Sequence, residues 1–256
     1  MRMASPHLSL SDRRHRLDGI AHRVAPVSFA GDQTMPVLDA LVPLFPRGTL
    51  QRGTVVAAAG SGGALSLAVA TCAAASAAGC WVAVLGADRL GLAAVEESGV
   101  ALDRLVVVEP PEPGQWGAVA AALVDAFDLV LIVTRHRVDA GQARRLRARA
   151  RERGSVIVQV GRWGWPEAPD VRLDVIECNW DGLGLGHGVL QARRLTVTAV
   201  ARRDARPRRK LTLWLPDLHG RISDAARPSE TWAGSDIELV AAAGSSPVGP
   251  GLLEAG

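Results

Sequence analysis

The chain has 256 residues, 48% of them apolar, with a formal net charge of +3. That is enough for one sizeable α/β domain with flanking segments. No run reaches the ~20 apolar residues of a membrane span, and Met1 to Leu10 has no apolar stretch of signal-peptide length. The three cysteines, Cys72, Cys80 and Cys178, lack metal-ligand spacing and fit buried small hydrophobes in a reducing compartment. The expectation is a soluble, cytoplasmic protein, with association to the nucleoid left open.

Residues 9–24, SLSDRRHRLDGIAHRV, have the pattern of a short amphipathic helix, with Leu10, Leu17, Ile20 and Val24 near one face. A helix docked on its own domain and an arm docked on another chain fit it equally. A linker-like stretch, VAPVSFAGDQTMP, follows. From Leu38 to Val160 strands and helices alternate. The predicted strands are Thr54–Ala58, Trp81–Leu85, Leu105–Val108, Leu129–Val133 and Ser155–Val160, apolar and valine-rich as in a parallel sheet covered on both faces. The predicted helices are Ala64–Ala78, Leu90–Ser98, Gln115–Ala126 and Val138–Arg153; Gly79, Gly99 and Gly154 close the first, second and fourth.

After Val160 the pattern changes. The loop GRWGWPEAP (161–169) leads into DVRLDVIECNW (170–180), RLTVTAVARR (194–203) and KLTLWLP (210–216). Their period-two alternation predicts antiparallel strands. Beyond Asp217 the chain turns rich in Gly, Ala, Ser and Pro, which predicts a flexible tail. The expected division is 1–34 helix and linker, 35–216 α/β core and 217–256 tail.

Charge is segregated. Residues 135–153 carry eight arginines, and residues 193–210 carry seven arginines and Lys210. Such clusters suit nucleic acid or an acidic partner, and equally a solvated face.

The order of these parts resembles the RecA ATPase core. MPVLDALVPLFPRGTLQRGTVVAAAGSGGALSLA (35–68) is similar to the segment entering a phosphate-binding loop. CWVAVLGADRLGLAAVEESGVALDRLVVVEPPEPGQWGAVAAALV (80–124) resembles the following strand, helix, strand and helix, and FDLVLIV (127–133) stands in the place of the Walker B strand. The later strands resemble those of the family, so the resemblance covers about residues 35–216. It implies a RecA-like P-loop-type fold: a mostly parallel sheet flanked by helices, with C-terminal antiparallel strands.

Within that superfamily the chain is most similar to the ImuA-type (actinobacterial ImuA′) proteins, RecA-like accessories of inducible mutagenesis. The resemblance implies a role in translesion DNA synthesis after DNA damage, part of the SOS response. It also implies partnership with an ImuB-type inactive homologue of Y-family polymerases, and with an error-prone C-family DNA polymerase and RecA.

The expected nucleotide site lacks its chemistry. A phosphate-binding loop, G-x-x-x-x-G-K-[ST], uses its lysine to neutralise phosphate oxygens and its hydroxyl to hold Mg²⁺. In the matching run the first glycine position is Ala58, the second glycine is Gly63, the lysine position is Ala64 and the hydroxyl position is Leu65. The strand carrying the family's magnesium aspartate ends at Val133. Asp128 lies at that strand's start, the wrong end for a site at the carboxyl ends of a parallel sheet. The family's catalytic glutamate aligns near Gly86, with Asp88 close by. Phosphoryl transfer depends on positioning and electrostatics, so the reading is a non-enzyme with no catalytic residue, no metal and no cofactor. His7, His15, His22, His136, His187 and His219 show no metal-ligand spacing.

The loop after Val133, RHRVDAGQ, and the loop after Val160 are short where RecA holds single-stranded DNA. In the second, Arg162, Trp163 and Trp165 fit stacking on bases, an aromatic anchor for a protein, or packing over the sheet end. Arg206, Arg208, Arg209 and Lys210 are expected to tip a hairpin, as a contact for phosphate or an acidic partner or as a solvated turn. The leading expectation is a non-catalytic adaptor. The alternatives are a DNA-binding module acting through its arginine surfaces and, third, a residual ATPase.

Overall fold

The computed structural model describes residues 34–60, 62–87, 90–161, 163–183, 188–202 and 208–225. The expected helix at 9–24 lies outside them, as does the chain beyond Ala225. The protein is a mixed α/β molecule built on a nine-stranded, mostly parallel sheet with antiparallel strands at one side.

In chain order the strands are β1 (Thr34–Pro36), β2 (Thr49–Gln51), β3 (Val55–Gly60), β4 (Val82–Leu85), β5 (Leu105–Val108), β6 (Leu129–Thr134), β7 (Val156–Gly161), β8 (Val171–Leu183), β9 (Gly188–Ala201), β10 (Arg209–Trp214) and β11 (Ser223–Asp224). The helices are α1 (Ala64–Ala77), α2 (Leu92–Glu97), α3 (Trp116–Ala126) and α4 (Ala140–Arg153). The large sheet runs β11-β10-β9-β8-β3-β7-β6-β4-β5, parallel from β8 to β5 and antiparallel from β8 to β11.

The central strands are apolar throughout because they feed two cores. Val56, Ala58, Val84, Leu131 and Val158 pack with α1 on one face. Val55, Ala57, Leu85, Ile132 and Ile157 pack on the other face with Trp116 and Leu123 of α3 and Leu146 of α4. This is the two-sided burial that makes parallel strands read as continuous hydrophobic runs. The antiparallel strands bury one face fully and the other only in part, at Thr196 and Thr198 of β9. Leu173, Val175, Leu195, Val197, Ala199 and Leu213 enter the α1-side core, while Arg172, Val200 and Lys210 on the opposite face are exposed.

Helix α1 is apolar and small-sided because it is buried on most sides. Its two buried hydroxyl side chains are satisfied: the Thr71 hydroxyl donates to the Leu67 carbonyl at 2.9 Å, and Ser76 Oγ accepts from the Ala101 N–H at 3.1 Å. The helix stops in a Schellman arrangement, with Gly79 N–H donating to Ser76 O and Cys80 N–H to Ala75 O, and Gly79 at φ +100° supplies the required left-handed turn. Helix α4 starts two residues later than its periodicity suggested, because Asp139 caps it through the Gln142 N–H at 3.0 Å.

Three features depart from the sequence reading. The run 39–44 forms a 3₁₀ turn that buries Leu41 and Leu44, flanked by the β1–β2 pair; its Pro43 and its short strands gave no periodic signal. The strands predicted at 170–180 and 194–203 run further than their alternation indicated, β8 to Leu183 and β9 from Gly188, making a long ribbon. Residues 217–225, placed in a flexible tail by composition, fold against the sheet. Asp217 Oδ1 accepts the backbone N–H groups of His219 and Arg221, and β11 pairs with β10.

Candidate functional site

The glycine loop joins β3 to the amino end of α1. Ala58 is a strand residue, 1% exposed and in register with Val160 and Leu173. Gly63, at φ +72°, is the residue before α1, and Ala64 opens the helix. The β8–β9 ribbon backs directly onto this turn. A side chain at Gly62 would come within 3.1 Å of Cys178 Sγ, and one at Gly63 within 2.8 Å of both Leu195 methyl groups. Leu65 packs against the core rather than offering a hydroxyl. The turn is thus backed by a thiol and an isobutyl group, and neither Ala64 nor Leu65 carries a charge.

At the carboxyl end of β6, Val133 pairs with Val160 and Thr134 with Gly161. Thr134 Oγ1 donates to the Val160 carbonyl at 3.4 Å and accepts from Gln159 Nε2 at 3.1 Å. At the opposite end of the sheet Asp128 has a structural role: it accepts from Arg52 Nη1 and from the Trp81 N–H, each at 3.0 Å. Gly86 takes φ +84° and donates its N–H to the Val108 carbonyl at 3.0 Å. Burial pushes the Cys72 thiol up to about 12, and burial together with the neighbouring Asp128 raises that of Cys80, so neither is an activated nucleophile. Among the described residues no group of His, Cys, Asp or Glu is placed to hold a metal ion.

The loop tryptophans separate. Trp165 is 7% exposed and belongs to the α3–α4 core, so packing over the sheet, not surface contact, is its role. Trp163 is 52% exposed, with the Arg137 guanidinium 5.7 Å from its ring centre. Arg162 lies outside the described residues. The arginines of α4 also divide. Arg147 is buried, donating to the Ala168 carbonyl at 2.6 Å and pairing with Glu167 and Asp170 at 3.2 and 3.4 Å, while Arg149 and Arg153 both pair with Asp125. Of the basic run at the start of β10, Arg206 lies outside the described residues, Arg208 and Lys210 are exposed, and Arg209 donates to the Leu44 carbonyl at 3.4 Å.

Sequence reasoning placed antiparallel strands at 170–180 and 194–203 but missed the distal part of the β8–β9 ribbon. That part runs past the ends of β3 and β10, which pair only up to Val175 and down to Arg194. There Trp180, Leu183, Val189 and Leu190 are 38, 60, 73 and 49% exposed. Isolated exposed apolar residues are ordinary, but several on one projecting element mark a contact surface. Arg193 sits opposite Trp180 in the ladder, its guanidinium 5.0 Å from the indole centre, and its Nε donates to the Leu215 carbonyl at 2.6 Å. These two residues form one wall of a groove of about 320 Å³, completed by Leu65, Val69, Val95 and Pro216 among others. Desolvation lowers the Arg193 pKa from its ordinary value. The alternation of apolar residues through 176–190 was the available signal, masked by the interspersed glycines.

The architecture defines a mixed α/β protein whose parallel half ends in a glycine turn closed off by its own antiparallel half. Residues 43–167 match the model of the MT3502 N-terminal domain family, a span running from the 3₁₀ turn through β7 and the tryptophan loop. Over 144 residues the chain is 37% identical to the uncharacterized protein Rv3395c of Mycobacterium tuberculosis; the match covers 55% of this chain and 66% of that protein. Among the described residues no helix is long and apolar enough to cross a membrane.

Proposed function

We propose that this chain is a RecA-like accessory protein of the ImuA type that works without catalysis, as an adaptor for an ImuB-type inactive Y-family polymerase homologue in mutagenic translesion synthesis, with an error-prone C-family polymerase and RecA as further partners. The observation that carries the non-catalytic part is the glycine turn. Where a phosphate-binding loop presents a lysine and a hydroxyl, this chain has Ala64 and Leu65, and Leu195 methyl groups crowd Gly63. Val133 stands at the end of the strand where the family carries an acid. Without cation, metal hydroxyl or acid, the electrostatic stabilisation of phosphoryl transfer has no source. The sheet order and the helices on both faces agree with a RecA-like core, and the exposed apolar ribbon agrees with a protein that works by contact.

The test is co-purification with the ImuB-type protein, with and without ATP. A stable complex indifferent to ATP supports the adaptor reading; no complex, or one that requires ATP, overturns it. A second reading, DNA binding through basic residues, is favoured by the exposed Arg208 and Lys210 at the start of β10. It requires affinity for DNA that falls with salt in proportion to the phosphates contacted.

A further inference from the structure

We propose that the groove between α1, α2 and the β8–β9 ribbon receives a segment of a partner protein in which a bulky apolar side chain stands beside a carboxylate. The inference rests on the adaptor reading and assigns a surface to it. The groove's volume of about 320 Å³ is at the small end of ligand pockets and suits a single large side chain. Its walls are mainly apolar, and the apolar character continues outside it. Leu92, on the turn of α2 that supplies Gly91 and Ala94 to the wall, is 50% exposed; Leu218, between wall residues Pro216 and Gly220, is 58% exposed. With Trp180 they extend the surface beyond what a small molecule covers, and a protein segment is the occupant that matches that extent.

Arg193 sets the chemistry of the occupant. Its guanidinium is half-buried, held by the Leu215 carbonyl and the Trp180 ring, and no described carboxylate pairs with it. Two other arginines withdrawn from solvent have acidic partners: Arg52 has Asp128, and Arg147 has Glu167 and Asp170. A desolvated cation without a counter-charge is costly, and an incoming carboxylate supplies a charge-assisted bond there. Arginine and tryptophan at a pocket wall are also the residue types that anchor protein interfaces. Glu97 lines the groove as well, so the occupant's acid belongs at the Arg193 wall and not beside Glu97. Nucleic acid fits less well: one face of Trp180 is taken by Arg193 and is closed to a base, and a phosphodiester has nothing to fill the apolar walls.

The test is selection of a random heptapeptide library displayed on phage against the full chain, followed by fluorescence polarisation with one selected peptide. The expected result is enrichment of Asp or Glu within a few positions of a bulky apolar residue. The selected peptide should bind at least tenfold more weakly to Arg193→Gln, to Ala94→Trp (which fills the groove from an exposed helix position) and as its own Asn or Gln analogue. Arg208→Gln should bind it normally, and circular dichroism melts report whether each variant is folded. Selection without acid enrichment, equal binding to folded Arg193→Gln, or Arg193-dependent binding of a labelled oligothymidylate or of a second copy of this chain instead overturns the proposal. Peptide binding at the groove with no complex to the ImuB-type protein leaves this inference standing and removes the identity of the partner; the reverse result removes the groove alone.

Discussion

Arg147 on α4 meets Asp170, the residue before β8, at 3.4 Å, and the same carboxylate accepts from Arg202 at 2.9 Å and from the Val55 N–H at 3.0 Å. One acid thus ties a helix, the first strand of the parallel half and the end of β9. Removing one partner from a buried pair costs about 3–5 kcal/mol. Arg147→Ala should destabilise by about 3 kcal/mol, the low end, because Arg202 still neutralises Asp170. Calorimetry should show a drop in Tm of roughly 6–12 °C, and a loss under roughly 2 °C would mean the pair contributes little.

Gly63 and Gly79 both have positive φ, but only Gly63 is crowded: a Cβ there meets Leu195 at 2.8 Å, whereas nothing lies within 4 Å at Gly79. Gly79→Ala should cost the left-handed strain alone, about 1–2 kcal/mol. Gly63→Ala should cost that plus about 1–3 kcal/mol of overpacking. In a double-mutant cycle by urea denaturation, Gly63→Ala combined with Leu195→Ala should cost less than the sum of the single changes.

Rebuilding the loop chemistry should not restore activity. Ala64→Lys with Leu65→Thr supplies the cation and the hydroxyl, but Val133 still lacks a magnesium-binding acid and Leu195 still crowds the turn. Phosphate release from ATP should stay at background, since several such groups must act together. Turnover above background would show that the turn retains a nucleotide seat.

The two loop tryptophans should behave differently. Trp165→Ala opens a cavity in the α3–α4 core and should cost about 3–5 kcal/mol. Trp163→Ala, at a site 52% exposed with a cation–π contact to Arg137, should change stability by less than about 1 kcal/mol. Thermal melts of the two variants side by side decide this, and comparable losses would place Trp163 in the core.

Cys72 gives the fold an alkaline dependence. Its thiol is pushed up to about 12 from 9.0 by burial, so the folded chain keeps a proton that the unfolded chain starts to lose near 9. The stability tied to that proton is intact below pH 9 and is lost as pH rises toward about 12. Cys72→Ala should be less stable than the parent at pH 7, and the gap in urea midpoint should narrow by about pH 10. A gap independent of pH would show that the thiol titrates normally when folded.

The parallel half was legible in the sequence because each of its strands is a short apolar run cut off by glycine or a loop. Predicted and observed bounds there differ by no more than two residues, as at Thr54–Ala58 against Val55–Gly60. That Ala64, Leu65 and Val133 carry no charge could be read directly, since a missing charge needs no geometry. What composition concealed was pairing across distance. Arg147 is one of eight arginines within 135–153, and only the approach of Glu167 and Asp170 makes it internal. Trp165 and Trp163 are two residues apart in one loop and differ because one faces α3 and α4. The groove was not legible at all, since Leu65, Val95, Trp180 and Pro216 converge from four separate segments.

The central position of β3 governs how this molecule can be made. Its two ladder neighbours are β7, where Val55 pairs with Ile157, and β8, where Val56 pairs with Val171. Both partners are synthesised about a hundred residues after β3. At roughly 5–20 residues per second, a growing chain carries this valine- and alanine-rich strand, and the buried helix α1 behind it, for several seconds with no edge to join. The parallel half therefore closes only when its last strands have left the ribosome. The antiparallel half, whose neighbours follow one another along the chain, pairs locally and quickly.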